Sequence, residues 1–207
     1  MESHIKPIRE IHPRVRQIED VSATLFGESG YYGTSLRDIA ERVGISKAGL
    51  LHYVTSKDNL LCMVLNDCYD QPTRVNMAVR ELLQYDGPVP DDKRLHIPAY
   101  FRELATVNEQ RPQLVRLFTT MNAEALNPDH PAYEYFRERD AALTEVAYAD
   151  IWYAPDGVAT PEVMMTAYRA MDGVQISWLR NPEHTLLERW DAVERSLFPA
   201  SIWEGYM

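Results

Sequence analysis

Apolar residues recur every three or four positions through most of the 207-residue chain, which is the spacing of amphipathic α-helices. Near the amino end this spacing forms an apolar stripe of Leu36, Ile39, Ala40 and Val43. The opposite side of that segment is charged. We find no alternating strand pattern of useful length and no internal repeat. The pattern therefore predicts an all-α protein with about nine helices.

End signals within residues 34–57 predict two short helices joined by a tight turn. Thr34 or Ser35 can cap the first helix, because their hydroxyl oxygens accept hydrogen bonds from its free N–H groups. Gly44 permits the backbone turn that ends this helix, and Ser46 can cap the second. The outward side of the second helix then consists of Lys47, Ala48, Gly49, His52 and Tyr53.

On that outward side, short side chains lie near the start of the helix and polar or basic ones complete the surface. Such a surface fits the major groove of DNA. Two capped helices around a glycine also occur in many all-helical proteins. Periodicity alone therefore leaves a purely structural role open.

The residues of this unit resemble the TetR family of bacterial transcriptional regulators. The matching run extends from about residue 15 to residue 65 and includes Thr34-Ser35, Ile39-Ala40, Gly44-Ile45-Ser46, Leu50, Ser56-Lys57 and Leu60-Leu61. The resemblance implies a three-helix DNA-binding domain with a helix-turn-helix over residues 1–57. It also implies a helical effector-binding and dimerisation domain over residues 58–207. The implied DNA contacts are Thr34, Ser35, Ser46, Lys47, Ala48, Gly49, His52, Tyr53 and Lys57.

Two positions of the second helix depart from the common family pattern. Leu51 stands where the family usually has a tyrosine, so a phosphate-contacting hydroxyl is missing and its role passes to His52 or Tyr53. Gly49 costs about 1 kcal/mol of helix propensity relative to alanine. Close approach to DNA would explain this glycine, and simple drift is the alternative.

The remaining helices are bounded by prolines, glycines and capping residues. Ser56 begins a helix that we expect to be long, to link the two domains and to act as the lever between them. A loop is predicted at residues 84–92. Thr160 is expected to cap the penultimate helix, and Thr185 with Glu188 forms a capping box for the last one.

In the TetR family the last two helices pair with their copies across a two-fold axis. The corresponding residues here are Met171, Gly173, Val174, Trp178, Trp190, Val193 and Leu197. A glycine inside a helix is destabilising unless close backbone approach compensates, as a tight helix-to-helix interface does. Gly173 therefore favours a homodimer, with contact to another helix of the same chain as the alternative.

Aromatic and polarizable residues of the second domain are candidates for a pocket that holds an apolar small molecule. The candidate set is Phe101, Phe118, Met121, Asp140, Tyr148, Trp152, Met165 and Tyr168. Each of these residues could equally belong to the core. A carboxylate on an apolar stripe is costly to bury unpaired. Asp140 is therefore expected to face outward, to pair with an arginine or to line a polar pocket.

Charge is distributed unevenly along the chain. Residues 1–57 carry a net charge of +1 and the remaining residues carry −11, for a total of −10. The near-neutral front end can present Lys47, Lys57 and Arg14 to phosphates, while the acidic remainder stays away from DNA.

Metal, disulfide and membrane chemistry find little support in the sequence. The six histidines lack HxxxH and HExxH spacing, so we expect no metal and no cofactor. Cys62 and Cys68 would lie about 240° apart on a helix and cannot readily bridge. No apolar run approaches the roughly 20 residues that span a bilayer, and the amino end lacks a signal-peptide core. We therefore expect a cytoplasmic protein.

These features predict a ligand-responsive transcriptional repressor. It would bind a near-palindromic DNA operator as a homodimer and leave it when a small-molecule effector enters the second domain; the direction of regulation rests on the resemblance. A small helical enzyme using Asp140, His130 and Glu124 is one alternative, although no nucleophile motif accompanies them. A DNA-binding protein without an effector is the other.

Overall fold

A computed structural model describes residues 12–66 and 73–207. Its amino-terminal part, which we term the head, contains α1 (Pro13–Gly33), α2 (Leu36–Val43), α3 (Lys47–Leu50) and α4 (Lys57–Val64). The predicted all-α class is confirmed. The helix that follows Ser56 is described only as far as residue 66, and Cys68 lies outside the described residues.

Residues 73–207, which we term the body, contain seven further helices. These are α5 (Arg74–Leu83), α6 (Ile97–Glu109), α7 (Pro112–Glu124), α8 (Tyr133–Tyr148), α9 (Thr160–Arg180), α10 (Leu186–Leu197) and α11 (Ala200–Trp203). Compared with the expected nine or so helices, α5 and α11 are additional. The loop predicted at residues 84–92 is present and runs into a 3₁₀ turn at Asp91–Lys93.

One short sheet interrupts the helical pattern. β1 (Leu95–His96) and β2 (Trp152–Tyr153) pair in parallel, with Leu95 opposite Trp152. The sequence pattern predicts no strand, because two residues are too few to produce a recognisable alternation. The pair ties the start of α6 to the segment that follows α8.

The predicted helix ends in the head are confirmed, and the structure decides between Thr34 and Ser35. Ser35 caps α2: its Oγ accepts from the Asp38 N–H at 3.2 Å, and the Asp38 carboxylate accepts from the Ser35 N–H at 2.9 Å. Gly44 ends α2 with a φ of 79°, a left-handed conformation that favours glycine. Ser46 caps α3 by accepting from the Gly49 N–H at 3.0 Å.

The two carboxy-terminal helix starts give opposite outcomes. The capping box of α10 is confirmed, since the Thr185 Oγ1 accepts from the Glu188 N–H at 3.1 Å and the Glu188 carboxylate accepts from the Thr185 N–H at 2.9 Å. The expected cap of α9 is wrong. Thr160 is already helical, Ala159 occupies the cap position, and no side chain caps this end.

The chain builds two hydrophobic cores. The first joins the head to α7 through residues such as Phe26, Leu50, Leu61 and Met121. The second lies within the body and contains an aromatic group of Phe101, Trp152, Trp190, Phe198 and Trp203. The first core thus includes residues of α7, so α7 is a body helix that packs against the head.

The closest approach between head and body is the packing of α1 along α7. A Cβ at Gly27 would lie 3.0 Å from the Leu117 backbone nitrogen, so glycine is required for the two helices to approach this closely. Thr120 Oγ1 also donates to the Gly27 carbonyl at 3.2 Å. Among the described helices, none is both long and apolar enough to cross a membrane.

Candidate functional site

The exposed surface of the helix-turn-helix is centred on α3 and the turn that follows it. Leu50 is fully buried and anchors α3 in the first core. Beyond it the Tyr53 N–H and the Val54 N–H both donate to the Leu50 carbonyl, at 2.9 and 3.2 Å. Val54 is buried, so the turn is anchored at both ends. Exposed positions on this element, which we term the reading face, are Ser46, Lys47, Ala48, Leu51, His52 and Tyr53.

Gly49 has a structural reason within the chain. A Cβ on Gly49 would lie 3.3 Å from Ser46 Oγ, tighter than most Cβ contacts, and 3.8 Å from the Ile45 Cβ. Glycine therefore preserves the serine cap of α3. This contact supplies a reason for Gly49 besides the expected close approach to DNA.

Thr34 is expected to contact DNA, but its hydroxyl group forms hydrogen bonds within the chain. Thr34 is only 3% exposed, and its Oγ1 donates to the Gly30 carbonyl at 2.9 Å and to the Leu25 carbonyl at 3.1 Å. The expectation for Thr34 is therefore wrong, because its hydroxyl secures the end of α1. Ser35, by contrast, is exposed.

The Lys57 ammonium is likewise engaged within the head. Its Nζ donates to the Tyr31 carbonyl at 2.9 Å and to the Thr34 carbonyl at 2.8 Å, and it lies 4.0 Å from the centre of the Tyr31 ring. These bonds give Lys57 a structural role, and its contact with phosphate stays a prediction. Lys57 satisfies carbonyl groups left free at the end of α1.

The start of α1 lies beside the reading face, which sequence spacing did not reveal. The His12 and Tyr53 rings are 6.4 Å apart between centroids. His12 caps α1, its Nδ1 accepting from the Arg14 N–H at 3.2 Å. The sequence signal here is Pro13, a residue type favoured at the first helical position, and such a local signal does not show which residues lie nearby in the fold.

A cluster of polar groups joins the head to the body where α1 ends. We term Tyr31, Lys57, Asp58, Glu124 and His130 the junction cluster. The Glu124 Oε2 on α7 accepts from the Tyr31 backbone N–H at 2.8 Å. The Tyr31 hydroxyl donates to Asp58, and burial together with this carboxylate raises the pKa of Tyr31.

Gly30 is the backbone position that this cluster requires. Its φ of 74° and ψ of 172° break the helical path of α1, and essentially only glycine adopts that conformation. A Cβ at Gly30 would also overlap the Glu124 carboxylate. Both the kink and the carboxylate contact therefore depend on glycine at this position.

His130 closes the cluster from the loop between α7 and α8. Its Nδ1 accepts from the Ala132 N–H at 3.1 Å, so the proton of the neutral ring is on Nε2, which lies 3.3 Å from Glu124 Oε2. The His130 ring packs edge-on against Tyr31, with centroids 5.2 Å apart. Burial lowers the pKa of His130, and the Glu124 carboxylate opposes that shift.

The three residues considered as acid or base groups of an enzyme are not assembled as a reactive set. His130 and Glu124 lie together in the junction cluster, which the sequence did not reveal. Asp140 is exposed on α8. This exposure also answers the question about Asp140, because the carboxylate faces outward and is not part of a buried pocket.

The candidate effector residues separate into three environments. Phe118 and Met121 belong to the first core, whereas Phe101, Trp152, Met165 and Tyr168 belong to or pack against the second. Tyr148 is 69% exposed. These candidates therefore do not form one group, since helical spacing does not determine which core a side chain enters.

The body interior does contain an unusual polar pair. The Tyr100 and Tyr168 hydroxyls lie 2.6 Å apart, and their rings pack against Phe101. Burial raises the pKa of both tyrosines, and Arg139 opposes the rise. Asp172 keeps solvent access, yet displacement of water by neighbouring atoms raises its pKa to about 6, opposed by Arg139.

Open surface clefts in the described part of the chain are small. One of about 280 Å³ is lined by Arg94, Tyr148, Asp150, Trp152 and Thr160 among others. The Arg94 guanidinium within it is already paired with the Asp150 carboxylate, with Nη1 and Oδ1 2.9 Å apart. Another cleft of about 240 Å³ lies between α7 and α9.

The residues expected at a two-fold interface do not share one exposed surface. Met171, Trp178 and Trp190 are buried in the second core, and Trp190 stacks on Phe101. Burial within the chain gives these three residues a structural role in the core, and their place at or beside an interface stays a prediction. Val174, Val193 and Leu197 are half-buried.

Gly173 lies on the outward side of α9. Apart from its own stretch of α9, no described atom comes within 4 Å of the position that its Cβ would occupy. Contact with another of the described helices therefore does not explain this glycine. Ile176, one turn further along α9, is 39% exposed.

Comparison with known proteins gives a match centred on the head. Residues 18–62 match the family model described as bacterial regulatory proteins, tetR family. The HTH-type transcriptional regulator RutR of Escherichia coli (strain K12) is 32% identical over 113 residues, covering 55% of this chain and 50% of RutR. The chain thus matches about half the length of these curated relatives.

A second relative matches over a shorter stretch. The biofilm operon icaADBC HTH-type negative transcriptional regulator IcaR of Staphylococcus aureus (strain Newman) is 39% identical over 69 residues, covering 33% of this chain and 37% of IcaR. Both relatives carry the description of transcriptional regulators and neither that of an enzyme.

Solved structures share the fold over nearly the whole chain. A TetR transcription regulator from Haloarcula marismortui superposes with a TM-score of 0.64 at 16% identity, covering 93% of this chain and 95% of the other. The transcriptional regulator FadR from Bacillus subtilis, solved in complex with stearoyl-CoA, gives 0.61 at 14% identity, covering 88% and 96%. At these identities the likeness concerns the fold alone.

Proposed function

The chain belongs to the TetR family of bacterial regulatory proteins, and from that membership we propose that it is a ligand-responsive transcriptional repressor. It binds a near-palindromic operator in double-stranded DNA as a homodimer, and a small-molecule effector releases it. The observation that carries this proposal is the reading face. There Lys47, His52 and Tyr53 project outward from an element that buried Leu50 holds in place.

DNA recognition is proposed to centre on α3 in the major groove. Lys47 reaches base edges or phosphate, and His52 and Tyr53 supply polar groups behind it. Ser35 and Ser46 cap helices whose N-terminal backbone N–H groups favour a phosphate nearby. His12 adds a further polar group from the start of α1.

The two-fold contact is proposed to use the outward side of α9 with its neighbour α10. Gly173 allows a second helix to approach α9 closely, and Ile176 supplies exposed apolar surface beside it. The half-buried residues Val174, Val193 and Leu197 are available to extend the contact. Two heads related by this axis would occupy two half-sites.

The effector is proposed to enter the body at the Tyr100–Tyr168 pair. Two hydroxyls that bond only to each other leave one proton without an acceptor among the described residues. Phe101 and Trp152 supply apolar walls, with Met165 on the same helix as Tyr168. An aromatic effector that carries a hydrogen-bond acceptor fits these groups.

Coupling to DNA is proposed to run through α7 and the junction cluster. Glu124 holds the end of α1 from the body side, and α7 packs along α1. An effector that moves α7 would therefore reorient the head. A hundredfold loss of operator affinity requires about 2.7 kcal/mol of coupling, and operator DNA must then weaken effector binding by the same factor.

Selection from a random duplex library with the full-length protein tests DNA binding. Enrichment of a near-palindromic sequence, with affinity that falls steeply as salt rises, is the expected result. Loss of that enrichment in Lys47→Ala would identify the reading face, with Lys93→Ala, an exposed lysine of the body, as the matched control. Recovery of no sequence by the wild type would overturn the proposal.

A thermal-shift screen of aromatic carboxylic acids and amides tests effector binding. Tyr168→Phe is expected to weaken any hit, whereas Tyr148→Phe, whose hydroxyl is on an exposed side chain, is not. A hit that binds equally well with and without operator DNA is not a regulator. If the protein binds operator DNA but shows no thermal shift with any compound, the result would support a DNA-binding protein without an effector.

A further inference from the structure

Leu51 is an exposed apolar residue on the reading face. Leu51 is 43% exposed, whereas Leu50 before it is fully buried. The Leu51 N–H donates to the Lys47 carbonyl at 3.0 Å, so these two residues lie one helical turn apart on the same side. Ala48 and His52 form the adjacent row at the same spacing.

The backbone fixes where Leu51 points. Leu50 and Val54 are both buried on either side of it, and the intervening turn is closed by hydrogen bonds to the Leu50 carbonyl. Ala48 is short and Gly49 has no side chain. Leu51 is thus the largest aliphatic side chain on the reading face, and buried residues lie before and after it along the chain.

A major groove presents very few apolar partners for such a group. Most base edges there carry hydrogen-bond donors or acceptors, which would lose water against an aliphatic side chain without gaining a partner. Thymine is the exception, since its C5-methyl group projects into the groove. An aliphatic side chain held on the reading face therefore favours thymine over the other bases.

We propose that Leu51, with Ala48 beside it, reads a thymine C5-methyl group in each operator half-site. This inference rests on the proposed DNA-binding function and adds its specificity. Lys47 lies on the same row, so the base pair read by Leu51 is next to the one that Lys47 approaches. The position where the TetR family usually has a tyrosine hydroxyl is used here for apolar readout.

Deoxyuridine in place of thymidine removes only this methyl group and so tests the proposal directly. Each thymine of the selected operator half-site is replaced in turn, and binding of the full-length protein is measured. At one thymine the wild type is expected to lose about fourfold in affinity per half-site, the equivalent of about 0.8 kcal/mol for one methyl-sized group.

Variants of Leu51 test whether this residue is the one that contacts the methyl group. Leu51→Ala should bind the thymidine and deoxyuridine operators equally, whereas Leu51→Met, which keeps an apolar chain of similar size, should retain the preference. Leu126→Ala, which removes another exposed leucine far along the sequence, is the matched control and should retain it too. Circular dichroism confirms that each variant is folded.

The outcomes separate this inference from the proposed function. A wild type that binds no duplex overturns both. A wild type that binds its operator but tolerates deoxyuridine at every thymine overturns methyl readout alone. A preference that persists undiminished in Leu51→Ala shows that another residue reads the methyl group and also overturns the inference.

Discussion

Two lysines that look equivalent along the chain have different surroundings in the fold. Lys47 is exposed on the reading face, whereas the Lys57 ammonium is bonded to two backbone carbonyls. Hydrogen bonds from charged donors contribute about 1.5 to 3 kcal/mol each when partly shielded from water. The two substitutions to alanine should therefore affect different properties.

We expect Lys57→Ala, which removes both hydrogen bonds, to lower the free energy of unfolding by about 3 to 6 kcal/mol. Lys47→Ala should leave that free energy nearly unchanged and instead weaken operator binding and reduce its salt dependence. Urea unfolding and salt-dependent binding isotherms measure the two effects. A Lys57→Ala protein of unchanged stability with a reduced salt slope would show that this lysine contacts phosphate instead.

Gly30 and Glu124 form a pair whose effects should not add. Gly30→Ala combines an unfavourable backbone conformation, costing about 1 to 3 kcal/mol, with overlap of the Glu124 carboxylate. Glu124→Ala removes the overlap but leaves the Tyr31 N–H without its acceptor. The double variant should be more stable than the sum of the single losses implies. Strict additivity in urea unfolding would argue against a direct contact.

At the scale of elements, α7 and the loop after it make contacts from the body to the end of α1 in the head. The sequence favoured the helix after Ser56 as the link, yet the contacts that reach across are those of α1 with α7, Glu124 and His130. α4 contributes Lys57 and Asp58 to the same cluster. The junction cluster thus brings together α1, α4, α7 and the loop after α7 where α1 ends.

His130 makes this junction sensitive to acid. Its folded pKa is lowered by burial, so the folded state binds a proton less readily than the unfolded chain does. Its contribution to stability is complete above the unfolded pKa of about 6.5 and is lost as the pH falls below that value. Protonation would also place a donor at Nδ1 opposite the Ala132 N–H.

Wild type should therefore lose more thermal stability than His130→Asn between about pH 7.5 and pH 5.5. The charged groups that face the ring, Glu124, Asp58 and Lys57, are the same in both proteins, so the difference reports His130. Differential scanning calorimetry at each pH measures it. Equal losses of thermal stability in the two proteins would show that His130 does not cause the acid sensitivity.

At the scale of the whole molecule, the outward side of α9 is the surface that we propose for the two-fold contact. Gly173 is exposed, and beyond its own stretch of α9 a Cβ there would have no described atom within 4 Å, so the fold of one subunit should tolerate Gly173→Leu. A leucine there would separate two closely packed α9 helices. We expect helical monomers that lose operator affinity, whereas Gly173→Ala should remain dimeric.

Sedimentation at micromolar concentration, with circular dichroism for helical content, measures this outcome. Trp190→Phe provides a contrast, because Trp190 is buried in the second core and its substitution should affect stability instead of assembly. Dimers of unchanged affinity in Gly173→Leu would place the two-fold contact elsewhere.

The sequence by itself determined the features that depend on short-range interactions. The all-α class, the helix-turn-helix, Gly44 as a terminator and the caps at Ser46 and Thr185 all follow from residues no more than about four positions apart. Exposure of the reading face followed as well, because the apolar stripe of a helix defines its opposite side.

Only the tertiary structure decided which of two possible partners each side chain takes. Helical spacing marks Trp190 and Met171 as apolar, but it does not say whether their own core or a second subunit buries them. It equally leaves open whether a lysine meets phosphate or carbonyl groups, as at Lys57. The contact between Tyr31 and Glu124 spans 93 positions. Such a pairing depends on how whole helices pack, and local periodicity carries no information about that packing.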